Sequence, residues 1–115
     1  MDIEYKTKKL EDECNNFKKL VKKYGDKNAK LINRRLDDMR SVESMDEVRD
    51  LPGRHHPLTG DKKGQFSIDL EHPSRLLYKP SEPYERKEDG GFVYSSITIV
   101  EIQGVKDTHD GKNKK

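Results

Sequence analysis

Apolar positions change their spacing several times along this chain, and each change predicts an element. Ile3 and Tyr5 alternate with Asp2 and Glu4, the pattern of a short strand with one covered face. From Thr7 the period lengthens: Leu10, Cys14, Phe17, Leu20, Val21 and Tyr24 recur every three or four residues. That spacing predicts one amphipathic helix ending at Gly25. Asp26 is placed to cap a second helix, whose stripe is Ala29, Ile32, Leu36 and Met39. Two such helices joined at Gly25-Asp26 make an antiparallel pair. Neither is stable alone, so something flat and apolar has to cover both stripes.

The second half of the chain supplies that surface. Ser44-Met45-Asp46-Glu47 has capping-box spacing and predicts a short third helix, stopped by Leu51-Pro52-Gly53. Phe66, Ile68 and Leu70 then alternate with Ser67, Asp69 and Glu71, a strand with one buried and one wet face. His72-Pro73-Ser74 is a tight connection, and Arg75-Leu76-Leu77-Tyr78 returns as the next strand. Lys79 to Gly91 reads as a polar loop, longer than most hairpin loops. Val93 to Val105 is the longest strand candidate. Its apolar phase slips between Ile97/Ile99 and Val100/Ile102, which predicts a bulge or a central strand covered on both faces. The expected fold class is α+β: an N-terminal helical hairpin packed on one face of a small, mostly antiparallel β-sheet. Residues 1–115 form one domain in this reading, with a frayed tail at 110–115.

Composition narrows the picture. Charged residues make up 40% of the 115 and hydrophobic ones only 30%, so the core is expected to be thin. A net charge of only +2 argues against disorder, which usually combines low apolar content with strong self-repulsion. The lone Cys14 excludes an internal disulfide and fits a reducing compartment. No stretch approaches the roughly 18 apolar residues of a membrane span. The polar start MDIEYKTKK is unlike a signal peptide, so a cytoplasmic protein with no membrane partner is expected.

Candidate chemistry gathers around Arg54–Leu70, RHHPLTGDKKGQFSIDL. With Phe66, Ile68 and Leu70 turned to the helices, Ser67, Asp69 and Glu71 face the open side of the sheet. Leu76 and Tyr78 then belong to the core, which leaves Arg75 and Leu77 on that open side, beside the loop. Lys106-Asp107-Thr108-His109 ends the last strand and can reach the same region if that strand is central. Cations, imidazoles and a carboxylate brought together suit metal-free RNA cleavage. That reaction needs a base for the 2′-OH, an acid for the departing 5′-oxygen and a fixed cation for the phosphorane. Histidine serves as acid or base near neutrality, and arginine presents a charged fork to phosphate. Plainer readings remain open at this level. His55 and His56 can be exposed loop residues, Lys62 and Lys63 a solvated turn, and Arg75 a cross-strand partner of Asp69 or Glu71. A histidine metal site is disfavoured, because neighbouring histidines in an extended segment point apart. P-loop, GxGxxG and GxSxG motifs are missing, and no cofactor is expected.

Taken in order, HPLTGDKKGQFSI (56–68), SRLLY (74–78) and DTH (107–109) resemble the HigB branch of the RelE/ParE toxin superfamily. That branch typically carries an HPLKGDRKG-W-S-I-like segment, a WRI-like strand and a terminal DYH. The resemblance implies the toxin of a type II toxin–antitoxin pair: a ribosome-dependent, metal-free mRNA endoribonuclease, neutralised by a HigA-like helix-turn-helix antitoxin. It implies His56 and His109 as acid–base groups, Arg75 as stabiliser of the phosphorane and Asp107 as support. Arg54, Lys62 and Lys63 would hold the RNA backbone. Two positions depart from the pattern, Thr59 where it has lysine and Thr108 where it has tyrosine. One removes a cation, which Lys62 is placed to replace, and the other a ring that would hold a base. Reduced or redirected activity is the expectation from both. Two other functions compete with the nuclease: a non-enzymatic or gyrase-directed inhibitor of the same fold, and a generic RNA-binding accessory protein.

Overall fold

The structure, a computed structural model, describes residues 1–107. The tail expected to fray at 110–115 lies outside the described residues, as do Thr108 and His109. Among the described residues, five strands form one sheet: β1 (Asp2–Tyr5), β2 (His56–Pro57), β3 (Phe66–Asp69), β4 (Ser74–Pro80) and β5 (Ile99–Asp107). Their order is β1-β5-β4-β3-β2, and every neighbouring pair is antiparallel except β1 with β5. Three helices, α1 (Lys8–Cys14), α2 (Phe17–Tyr24) and α3 (Asp26–Ser41), fill the chain between β1 and the rest of the sheet. The α+β class is as the sequence pattern predicts.

The single helix expected over 7–24 is in fact two. Thr7 caps the first, its Oγ1 accepting the Leu10 N–H at 3.0 Å. The turns then stop at Asn15. Asn16 is extended, and its Oδ1 accepts the Lys19 N–H at 3.3 Å, starting a new helix. The stripe partly survives the break, with Leu10, Cys14 and Leu20 buried, but Phe17 is 40% exposed. Gly25, at φ +87°, closes α2 by donating its N–H to Val21 at 2.8 Å. Asp26 does not cap the next helix as expected. Gly25 takes that position, and Asp26 is the first helical residue, favoured by the positive end of the α3 dipole and paired with Lys30 at 3.2 Å.

Ala29, Ile32, Leu36 and Met39 of α3 are buried in one cluster with Ile68, Leu76, Tyr78, Val100 and Ile102 of the sheet. This is the covering surface that the helical stripes require. The expected short third helix is a 3-10 turn, Met45–Asp50; Ser44 Oγ bonds to the Asp46 carboxylate instead of capping a backbone N–H. The last strand starts at Ile99 rather than Val93. Tyr94–Ser96 make a 3-10 turn, held by the Ser96 hydroxyl donating to Val93 O at 2.6 Å. The bulge lies further along than the phase slip suggests. Leu77 opposes Gly104 and Tyr78 opposes Ile102, leaving Gln103 as the extra residue. No helix among the described residues is long and apolar enough to cross a membrane.

Candidate functional site

Register decides which polar side chains meet on the sheet face turned away from the helices. His56 of β2 pairs with Ser67 of β3, and Asp69 of β3 pairs with Arg75 of β4. Directly opposed residues share a face, so these four form a patch that spans three strands, β2, β3 and β4. Arg75 Nη1 donates to His56 Nε2 at 3.0 Å. The Ser67 hydroxyl lies 3.0 Å from the same nitrogen and 3.5 Å from Arg75 Nη1. On the other edge of the ring, His56 Nδ1 is 3.2 Å from the Pro57 carbonyl. A carbonyl can only accept, so Nδ1 carries the proton and Nε2 offers its lone pair to Arg75 and Ser67.

Asp69 holds the opposite side of the guanidinium, with Oδ1 3.7 Å from Arg75 Nε. Arg54 grips the same carboxylate, through Nε at 2.9 Å and Nη2 at 3.4 Å. Burial works to raise the Asp69 pKa. The hydrogen bonds and charge of Arg54, joined by Arg75 and His56, outweigh it and hold the carboxyl below its ordinary value. Arg75 is only 27% exposed, whereas the Arg54 side chain is 64% exposed. A cleft of about 90 Å³ opens beside them, lined by Arg54, Asp69, His72, Ser74 and Arg75.

His55 and His56 point apart, as neighbours in an extended segment do. His55 is not an exposed loop residue: its Nδ1 is 3.0 Å from the hydroxyl of Tyr78, which is fully buried. Burial, reinforced by Arg35, pushes its pKa down to about 4, so it stays neutral. Lys62 and Lys63 sit on the turn that precedes β3, beyond the cluster, with Lys63 exposed and Lys62 half-buried. Asp107 opposes Ser74, one row beyond the Arg75–Lys106 pair, and so reaches the same end of β4. The structure thus brings His56, Arg75 and Arg54 together. Asp107, paired with Ser74 at the same end of β4, falls by strand alternation on the opposite face from Arg75, and His109 lies outside the described residues. Ser67, fully buried beneath the imidazole, has no sequence signal beyond its place on the open face. The cross-strand pairing of Arg75 with Asp69, one of the plainer readings left open, is present, and it coexists with the histidine contact. Among the described residues, no three His, Cys, Asp or Glu side chains are grouped to hold a metal ion.

No protein-family model and no curated protein sequence matches this chain. Its structure is similar to that of a YoeB/ParE toxin from Agrobacterium tumefaciens, with a TM-score of 0.58 and 14% identity. The match covers 93% of this chain and 98% of that one. The chain therefore shares the fold of that toxin over nearly its whole described length, with a histidine–arginine–carboxylate cluster on the open face of the sheet.

Proposed function

We propose that the protein is the toxin of a type II toxin–antitoxin pair and that it cuts mRNA on the ribosome without a metal ion. The observation that carries this reading is the 3.0 Å contact between Arg75 Nη1 and His56 Nε2 on the open face of a toxin-like fold. A phosphate arriving there competes for the guanidinium, because an arginine–phosphate fork is stronger than a bond to neutral imidazole. Once Arg75 turns to the phosphate, Nε2 is free to accept the 2′-OH proton. The 2′-oxygen then bonds to phosphorus, the bond to the 5′-oxygen breaks, and that oxygen takes a proton from an acid. His109, supported by Asp107, is the acid in this reading. The products are a 2′,3′-cyclic phosphate and a free 5′-OH. Arg75 neutralises the phosphorane between them, and Arg54, Lys62 and Lys63 hold the flanking backbone. A HigB-like place within the superfamily, a HigA-like helix-turn-helix antitoxin and a cytoplasmic site of action belong to the same proposal.

A same-fold inhibitor that cuts nothing is the second reading. It is favoured by Thr59, an exposed residue where the HigB-like segment has lysine. Induction of the protein in bacteria beside His56→Ala and Arg75→Ala tests both. The nuclease reading expects growth arrest with the native chain and its relief in both variants. Arrest that persists in both, with intact message and blocked DNA supercoiling, would establish the second reading instead.

A further inference from the structure

Beyond the His56 cluster, the loop between β4 and β5 builds a second polar-and-aromatic surface. Phe92 and Tyr94 from this loop pack on Phe66 of β3 and Tyr84 packs on Phe92, with ring centroids between 5.6 and 6.1 Å apart. Arg86 lies across them, its guanidinium carbon 4.8 Å from the Phe92 centroid and 5.3 Å from that of Tyr84. Its Nη1 and Nη2 are fixed by Gly90 O and Tyr84 OH, each at 2.9 Å. Between this platform and the turn after β2 lies a cleft of about 610 Å³. Its floor is Pro57, Phe66, Phe92 and Tyr94, and Lys63 and Arg86 stand on its lining with no carboxylate among them. Pro57 directly follows His56 on the edge strand, so the cleft opens around the sheet edge from the proposed reaction centre.

We propose that this cleft is a second RNA-contact site, which takes an unpaired nucleobase of single-stranded RNA against Phe92 and Tyr94 while Arg86 and Lys63 meet its phosphates. The proposal rests on the RNA-directed reading above and extends it to a nucleotide flanking the cut. Three features fix the class of ligand. Half-buried aromatic rings that line an open cleft can stack on any base. Two cations without a carboxylate match a polyanion. A volume of about 610 Å³ suits one or two nucleotides and not a duplex, whose bases are already stacked on each other. An acidic protein segment would use the same charges but has no need of the aromatic floor.

The test uses the native chain and a short single-stranded RNA whose 2′-hydroxyls are methylated, which removes the attacking group and leaves the bases intact. Phe92→Leu is expected to weaken binding about tenfold. Arg86→Gln is expected to weaken it less and to lower the salt dependence by about one phosphate contact. Thermal melts of both variants show whether each remains folded, and Tyr94→Leu serves as a replacement if one does not. Folded variants that bind this RNA as the native chain does would overturn the proposal. So would variants that keep RNA binding but lose capture of an antitoxin protein. The two readings fail separately. Base-dependent binding with no cleavage of mRNA on translating ribosomes would sink the nuclease alone. Cleavage that is lost in Arg75→Ala, in a chain whose RNA binding ignores Phe92, would sink the cleft alone.

Discussion

Arg75 is shared between a carboxylate and an imidazole, and its usefulness depends on that balance. The Asp69 charge orients the fork from one side, while the neutral His56 ring is the partner it can leave when a phosphate arrives. Asp69→Asn keeps the shape and removes the charge, so Arg75 and Arg54 both lose their anchor. Cleavage by this variant is expected to fall about tenfold with little change in RNA affinity, as measured by single-turnover kinetics on programmed ribosomes. An unchanged rate would make Asp69 a surface ion pair and nothing more. His55 gives a pH dependence of known sign. An ordinary histidine takes up its proton near 6.5, whereas folded His55 resists protonation down to about 4. Between those values the unfolded chain binds the proton and the folded one does not. Stability is therefore complete above about 6.5, falls as the pH drops toward 4, and levels off below. Thermal melts across this range should show the fall, and His55→Gln should flatten it. Asp69 acts only at lower pH, below the ordinary carboxylate range, so the two losses separate. Period-two alternation makes His56 and Arg75 legible as residues of one face. It leaves the fate of His55 open, because that turns on the buried hydroxyl of Tyr78, contributed by a strand more than twenty positions away.

Local elements follow the sequence where one signal dominates and depart from it where two compete. The stripe through Leu10, Cys14, Phe17 and Leu20 has no gap, so periodicity alone shows one helix. Asn16, extended and bonded to the next turn, outweighs it locally. The strand expected from Val93 loses its first residues to the turn at Tyr94–Ser96, fixed by a serine side chain that no alternation pattern reports. Leu51-Pro52-Gly53 is legible as a breaker, but not as a packing contact. Gly53 has φ +106°, and a Cβ there would lie 2.6 Å from Ile68 Cγ2 and 2.7 Å from Arg35 Nε. Its carbonyl also accepts the Asp69 N–H at 2.7 Å, which ties the approach of His56 to the strand that carries Asp69. Gly53→Ala should cost about 3 kcal/mol, from overlap and a left-handed backbone together. Urea denaturation measures this, and a loss under about 1 kcal/mol would show that the segment yields easily.

At the scale of the molecule, the fold is a sheet whose two faces have separate tasks. The helices cover one face through Ile68, Leu76, Tyr78, Val100 and Ile102, which leaves the other free to gather charge. That division is legible because Phe66, Ile68 and Leu70 alternate with polar residues and each helix has one stripe, although the last strand slips phase at its bulge. Strand order is less so: β1 pairs with β5 across almost the whole length of the chain, and no local pattern records such a partner. The similarity to a YoeB/ParE toxin concerns this architecture; the chemistry rests on His56 and Arg75. The central claim is that these two side chains cut RNA. End-labelled mRNA on translating ribosomes tests it most directly, with the native chain compared against Arg75→Ala and the new ends analysed chemically. The account predicts fragments ending in 2′,3′-cyclic phosphate, formed at least about a hundredfold more slowly by the variant. Message left whole by the native chain, or cut equally well by Arg75→Ala, would contradict it.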